Sequence, residues 1–135
     1  MQAVAEQFDL ELPAEPESVT RARHAAVDLA RSAGAAEADV EIAVSEAVGN
    51  AVLHAYPDPD GQGRGTVRVV GSLDAGRLVF VVQDEGVGMR PHPGSPGLRL
   101  GLPLIGQVSA DMHIDTHFGG TRISMAFPTA SGAGA

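Results

Sequence analysis

The sequence predicts an α+β fold, a two-layer sandwich in which helices cover one face of a mixed, mostly antiparallel sheet. Three observations favour it: an alternating strand pattern begins the chain, two stretches with helical spacing follow directly, and two hairpins occupy the second half. The element order, β-α-α-β-β-α-β-β, is typical of this class. With 135 residues the chain is long enough for one core and too short for two. We expect a single domain over residues 1–128 and a disordered tail over 129–135.

The first part of the chain predicts one strand and two helices. Apolar and polar residues alternate in EQFDLELP, as they do in a half-buried edge strand. Residues 17–33 carry apolar side chains at helical spacing, and Gly34 is positioned to end that helix. A second helix is expected from about residue 36 to residue 55 or 56, because Pro57 disfavours a helical conformation at the residue before it.

The remaining chain predicts two hairpins and a short helix. The segment TVRVVGSLDAGRLVFVVQD predicts two strands around a turn at Asp74, Ala75 and Gly76. EGVGMRPHPGSPG is a loop rich in glycine and proline, and a short helix is expected to begin near Gly101. A closing hairpin, DMHIDTHF-GG-TRISMAFP, completes the sheet.

Composition and charge exclude several kinds of function. The net charge of −8 comes from residues 1–60, where twelve acids stand against three arginines. Such a surface repels phosphate backbones, so we expect protein partners and no nucleic acid. All nine basic residues are arginine, which excludes a Walker A loop, the strand lysine of ordinary protein kinases and a Schiff base. There is no cysteine, secretory signal pattern or long apolar run, so a cytoplasmic protein without a membrane segment is expected.

The motif SEAVGNAVLHAY places Glu46, Asn50 and His54 at intervals of four residues on the second predicted helix. Apolar residues at helical spacing define the side that packs on the sheet, and Glu46 and Asn50 point roughly away from it. One interpretation is an exposed hydrogen-bonded pair of small energetic value. The other is a helix bordering a cleft, where Glu46 takes a proton from a hydroxyl and the amide oxygen of Asn50 ligates a hard cation such as Mg²⁺.

Three further motifs follow in order. In VVQDEGVGM a buried strand leads into Asp84, Gly86 and Gly88, where the carboxylate can accept hydrogen bonds from an amino-bearing ring and the glycines allow close approach of a ligand. A tight turn is the alternative explanation. SPGLRLGLPLI is a glycine-punctuated loop before a helix N-terminus, which either favours an anion or is an ordinary helix start. The sequence Gly-Gly-Thr at 119–121 is, in isolation, best explained as a hairpin turn.

Together, the order and spacing of these four motifs resemble the nucleotide-binding (Bergerat) fold of the GHKL superfamily, over roughly residues 8–127. Within it the chain is most similar to the anti-sigma-factor serine/threonine kinases of the RsbW and sporulation type. The resemblance implies ATP and Mg²⁺ as cofactors and a cytoplasmic homodimer that binds a sigma factor. It also implies phosphorylation of an anti-anti-sigma antagonist of the STAS type, so that transcription is regulated by partner switching.

The resemblance further implies a role for each matching residue. Glu46 matches the general base, Asn50 the ligand of Mg²⁺, and His54 a position near the phosphates. Asp84 matches the aspartate that binds the adenine amino group, and Thr121 completes the adenine pocket. The residues beside the base and in the lid over the phosphates are Gly86, Gly88, Gly97, Leu98, Arg99, Leu100, Gly101 and Leu102.

Two departures from the family pattern leave alternatives open. The family usually reads G-L-G-L where this chain has residues 99–102, so Arg99 replaces the first glycine. Its side chain would either occlude the phosphate site or bind the γ-phosphate. The lid is also short, with eight residues between Gly88 and Gly97, three of them proline. A kinase is the leading hypothesis. The alternatives are a catalytically inactive regulator of the same fold that sequesters a protein partner, and a plain acidic interaction domain in which the motif order is coincidental.

Overall fold

The computed structural model describes residues 5–55, 65–85, 103–117 and 120–130. Its elements in chain order are β1 (Ala5–Pro13), α1 (Pro16–Ala33), α2 (Glu37–Asn50), a π-helical segment (Ala51–Ala55), β2 (Thr66–Asp74), β3 (Arg77–Asp84), α3 (103–108), β4 (Asp111–His117) and β5 (Gly120–Pro128). This order confirms the predicted succession of helices and strands and the α+β class. Within the described parts of the chain, no helix is both long and apolar enough to cross a membrane.

The five strands form one sheet in the order β1-β2-β3-β5-β4. Each pair of neighbouring strands is antiparallel, so the expected mixed sheet is corrected to an antiparallel one. A single crossover helix makes two neighbouring strands parallel. The two helices between β1 and β2 instead return the chain to the end of the sheet where β1 finishes, so β2 runs antiparallel to β1. Between β3 and β4 the described residues include one helix, and these two strands do run in the same direction. They are not neighbours, however, because β5 lies between them.

The ends of α1 follow from local chemistry. Pro16 occupies the first turn, where an amide N–H has no helical partner in any case. Gly34 ends the helix with φ of 73°, and its N–H group approaches the carbonyls of Ala30 and Arg31. The buried side of α1 consists of small residues, namely Ser18, Ala22, Ala26 and Ala30. Small side chains at this spacing let α1 pack closely against α2.

The helices cover one face of the sheet, where alternate residues of the central strands β2 and β3 are buried. On β3 these include Phe80, Val82 and Asp84. Phe80 lies in the middle of the core, with ring centroids 6.2 Å from Phe8 and 6.0 Å from Phe127. The apolar row of β3 therefore ends in a buried carboxylate on the face that the helices cover.

The central hairpin turns through Ala75 and Gly76, whose φ angles of 52° and 80° are those of a type I′ turn. Thr129 is buried behind this turn and donates its hydroxyl to the carbonyl oxygen of Gly76 at 2.6 Å. The disordered tail expected from residue 129 is corrected at its first residue, because this bond holds Thr129 against the central hairpin. Residues 131–135 lie outside the described part of the chain.

Candidate functional site

The helix α2 presents both a core face and the predicted polar side chains. Its apolar face is formed by Val40, Ala43, Val44, Ala47 and Val48, all with 0% exposure. This face packs against α1, β3 and β5. Glu46 is partly exposed, whereas Asn50 is only 5% exposed. The interpretation of Glu46 and Asn50 as an exposed pair is therefore wrong for Asn50, which lies at the boundary of the core.

Two described residues of α2, Ser45 and Asn50, each have a buried side-chain polar atom without a hydrogen-bond partner, and the more deeply buried of the two is Asn50. Its Nδ2 atom is buried without a hydrogen-bond partner. The buried hydroxyl of Ser18 instead donates to the carbonyl oxygen of Pro13 at 2.5 Å, and that of Thr129 to Gly76. An unsatisfied buried donor costs about 1–3 kcal/mol, and native proteins contain few. A side chain kept in this condition is a candidate for binding a ligand.

The helix changes its winding directly after Asn50. The sequence predicts a helix as far as residue 55 or 56, and the backbone is helical to Ala55, but residues 51–55 form a π-helix. Single π-helical turns are rare and are found frequently at functional sites. His54 belongs to this segment. The described part of the structure does not extend to its side chain, so the expected position of His54 near the phosphates stays a prediction.

Asp84 and Thr121 are brought together by the register of the sheet. They are direct partners on the antiparallel pair β3 and β5. Both side chains face the helices and are buried, with exposures of 4% and 2%. The π-helical segment packs against β3, and α2 packs against both strands. The three buried polar residues predicted for the site, Asn50, Asp84 and Thr121, thus share one layer of the molecule between the helices and the sheet.

Gly120 has a role that the sequence analysis did not identify. A Cβ atom at this position would fall on the carbonyl oxygen of Asp84. Glycine is therefore required where β5 passes closest to the end of β3, and it is needed for space rather than for a turn conformation. The interpretation of Gly-Gly-Thr as a simple hairpin turn missed this contact. In a single sequence, a glycine of close approach cannot be told from a glycine of a turn.

The remaining predicted site residues lie outside the described part of the chain. They are Gly86, Gly88, Gly97, Leu98, Arg99, Leu100, Gly101 and Leu102. The helix expected near Gly101 is described from residue 103 to residue 108, with Ile105 fully buried in the core. The positions assigned to the lid and to the glycines beside the base therefore stay predictions.

The opposite face of the sheet carries charges and, in the described part of the chain, none of the predicted site residues. Neighbouring positions across its five strands are Glu11, Arg68, Gln83, Arg122 and Asp115. Arg68 donates two hydrogen bonds to Asp9, at 2.9 and 2.5 Å, and these bonds lower the pKa of the Asp9 carboxyl. A groove of about 440 Å³ on this face is lined mainly by charged side chains. Its size alone does not make it the candidate site, because the buried polar residues lie on the other face.

The chain matches a known family and several known proteins. The sequence model of the family described as the histidine kinase-like ATPase domain matches residues 12–127. The chain is 37% identical over 51 residues to an anti-sigma F factor of Clostridium kluyveri, covering 38% of this chain and 33% of that protein. It is 37% identical over 89 residues to a serine-protein kinase RsbW of Bacillus velezensis, covering 64% of this chain and 54% of that protein. The chain thus spans between a third and about half of the length of these relatives.

Solved structures support the same fold. The RsbU and RsbW domains of the Mycobacterium tuberculosis protein Rv1364c align with a TM-score of 0.67 at 23% identity, covering 91% of this chain and 33% of that one. A blue-light-activated histidine kinase of Erythrobacter litoralis aligns with a TM-score of 0.57 at 22% identity, covering 88% of this chain and 43% of that one. At these identities the likeness shows the fold alone. Because the family match spans most of the chain and the fold agrees with it, this chain belongs to the histidine kinase-like ATPase domain family.

Proposed function

We propose that this chain is an ATP-dependent protein serine/threonine kinase that also acts as an anti-sigma factor. In this proposal it binds Mg·ATP and phosphorylates an anti-anti-sigma antagonist of the STAS type. It also holds a sigma factor, and phosphorylation determines which of the two partners it binds. A homodimer in the cytoplasm is the form in which we expect it to act. The names of the two curated relatives, an anti-sigma factor and a serine-protein kinase, support this choice within the family.

The observation that carries the proposal is the buried, unsatisfied amide of Asn50 one helical turn after a partly exposed carboxylate. A purely structural helix would gain stability from an apolar residue at position 50. The adjoining layer contains two more buried polar side chains, Asp84 and Thr121, which are direct partners across β3 and β5. Three buried polar side chains beside an otherwise apolar core are suited to a ligand with several hydrogen-bonding groups, such as a nucleotide.

In the proposed reaction Glu46 acts as general base. Its carboxylate takes the proton of a serine or threonine hydroxyl as that oxygen forms a bond to the γ-phosphorus of ATP. The bond between the γ-phosphorus and the oxygen bridging to the β-phosphate breaks, and ADP leaves with that bonding pair. Phosphoryl transfer of this kind depends mainly on positioning and charge stabilisation, so a site without lysine can perform it. The carboxylate of Asp84 is assigned to the adenine amino group, with Thr121 beside it.

The residues present fit a magnesium ion at Asn50. The two ends of a carboxamide exchange on a 180° flip, so the buried position that lacks a partner can present Oδ1 as well as Nδ2. Amide and carboxylate oxygens are suitable ligands for Mg²⁺, which keeps several waters and is otherwise held by phosphate oxygens. When bound, the ion would neutralise part of the phosphate charge. Asn50 would thereby orient the triphosphate relative to Glu46.

Nucleotide binding and phosphate transfer test the proposal separately. Calorimetry with ATP and ADP in the presence of Mg²⁺ is expected to show saturable binding by the wild type and by Glu46→Gln, and none by Asn50→Ala. Radiolabel from γ-labelled ATP is expected on a STAS-type antagonist with the wild type and with the control variant, and not with Glu46→Gln or Asn50→Ala. Glu17→Gln is the matched control, because Glu17 is an exposed acid on the other long helix, α1. Binding without transfer to any antagonist would instead favour the inactive regulator, and no binding of either nucleotide would refute an ATP site.

A further inference from the structure

Two of the three large apolar side chains that are exposed among the described residues lie on the helix that carries Glu46. Ile42 is 36% exposed and precedes Glu46 by one turn of α2. Leu53 is 70% exposed and lies in the π-helical segment, about two turns after Glu46. The third, Ile114, is 40% exposed and belongs to the edge strand β4. Two exposed apolar residues thus bracket the proposed general base along one helix.

Gly49 lies between them, and none of the described residues requires a glycine there. A Cβ atom at position 49 would meet no atom within 4 Å, and its φ angle is not positive. An alanine would fit this space and would favour the helix, because glycine is among the least favourable residues in a helix interior. Among the described residues, the bare backbone at Gly49 therefore leaves open space against the helix beside Glu46.

We infer that Ile42, Gly49 and Leu53, here called the α2 rim, are the docking surface for the protein that accepts the phosphate. This inference rests on the proposed function. A hydroxyl that gives its proton to Glu46 must come within hydrogen-bonding distance of that carboxylate, so the segment carrying the hydroxyl has to lie against the same helix surface. The apolar side chains on either side can then be buried by the acceptor, and the missing side chain at Gly49 allows its backbone to come close.

The helix geometry sets the spacing that the acceptor needs. At 1.5 Å per residue, Ile42 lies about 6 Å along the helix from Glu46, and Leu53 about 10 Å in the other direction. The acceptor is therefore a protein surface with apolar side chains at about these two distances on opposite sides of its serine or threonine hydroxyl. The helix itself carries four acids, Glu37, Asp39, Glu41 and Glu46, and no base. This charge favours an acceptor with basic rather than acidic side chains around the hydroxyl.

The test uses the STAS-type antagonist that the wild type labels, in steady-state kinetics with the acceptor concentration varied. Ile42→Gln and Leu53→Gln are each expected to raise KM for the acceptor about tenfold, with kcat and the Kd for Mg·ATP little changed, because they remove binding that is equal in the ground and transition states. Gly49→Gln is expected to raise the melting temperature and the KM together. A residue with a merely structural role would not give that combination. Ile114→Gln is the matched control and leaves KM unchanged.

A crosslinking experiment provides an independent readout. A photoreactive amino acid at position 42 or 53 is expected to capture the antagonist, and the same group at position 114 is not. Unchanged KM values in all three rim variants, or equal capture from position 114, would overturn the inference while leaving the kinase activity in place. If the wild type binds no nucleotide or labels no antagonist, the proposed function fails first, and the inference falls with it.

Discussion

Replacing Asn50 by alanine is predicted to stabilise the nucleotide-free protein. The change removes a buried donor without a partner, which recovers about 1–3 kcal/mol. It also exchanges asparagine for the residue with the highest helix propensity, a gain of about 0.5 kcal/mol. Against this, the lost amide leaves a cavity of roughly 30 Å³, which costs about 0.7 kcal/mol at about 24 cal/mol per Å³. The net expectation is a protein more stable by about 1–3 kcal/mol.

The assay is thermal or urea unfolding with and without Mg·ATP. Without nucleotide, the melting temperature of Asn50→Ala is expected to exceed that of the wild type by at least about 3 °C for a chain of this size. Nucleotide at about a hundred times its Kd adds about 2.7 kcal/mol to the stability of a protein that binds it. We expect the wild type to gain this amount and Asn50→Ala to gain nothing. Adding Mg·ATP thus removes or reverses the difference between the two proteins.

Thr129→Val serves as the contrasting control for the same reasoning. Thr129 is also buried, at 3% exposure, but its hydroxyl is satisfied by the carbonyl oxygen of Gly76. Removing that bond should cost about 1 kcal/mol and leave the stabilisation by nucleotide intact. If Asn50→Ala is instead less stable than the wild type without nucleotide, the amide of Asn50 has a partner in solution and the reasoning fails. Equal stabilisation of both proteins by Mg·ATP would remove Asn50 from the site.

Three further predictions concern the sheet. Gly120→Ala should lower the free energy of unfolding by more than about 2 kcal/mol and abolish nucleotide binding, because the new methyl group displaces β5 from β3 beside the site. Unfolding curves measure the first effect and calorimetry the second. A variant as stable as the wild type would contradict the close contact. Gly71→Ala should lower the free energy of unfolding by about 1–3 kcal/mol without changing nucleotide affinity, because its Cβ would lie 2.5 Å from the Phe8 ring. An unfolding midpoint equal to that of the wild type would contradict this clash. The pKa of the Asp9 carboxyl lies below its ordinary value, because Arg68 donates hydrogen bonds to it. The ion pair therefore stabilises the fold fully at pH values above the ordinary pKa of an aspartate, and this contribution is lost as the pH falls through the lowered pKa. An NMR titration should show the midpoint of Asp9 rising in Arg68→Gln, and an unchanged midpoint refutes the pairing.

Much of the fold was predictable because it depends on local patterns. Strand alternation, the glycine that ends α1 and the turn at Ala75 and Gly76 are all short-range signals, and each is confirmed. The direction of the sheet was less accessible. Whether it is mixed or antiparallel depends on which strands become neighbours, and the insertion of β5 between β3 and β4 is a long-range event.

Candidate site residues could be named from the sequence, but their arrangement could not. Spacing placed Glu46 and Asn50 on one helix, yet a helical projection assigned both to the side away from the sheet, and Asn50 is buried. Projection assumes one flat partner, whereas α2 packs against α1 as well as against the sheet, so more of its circumference is covered. The change to a π-helix after Asn50 has no signal in the residues 51–55, which are ordinary helix formers apart from one histidine.

The burial of Asn50 links the stability of the domain to the proposed function. An unsatisfied donor in the core lowers the stability of the free protein, and the fully buried apolar face of α2 offsets this cost. A ligand that forms a hydrogen bond with the amide removes this cost, and the free energy recovered in this way adds to the binding free energy of that ligand. Bound nucleotide should therefore protect the backbone amides of α2 from hydrogen exchange more than those of β1, the edge strand on the far side of the sheet. Equal protection of both elements would mean that Asn50 is not where folding and nucleotide binding are coupled.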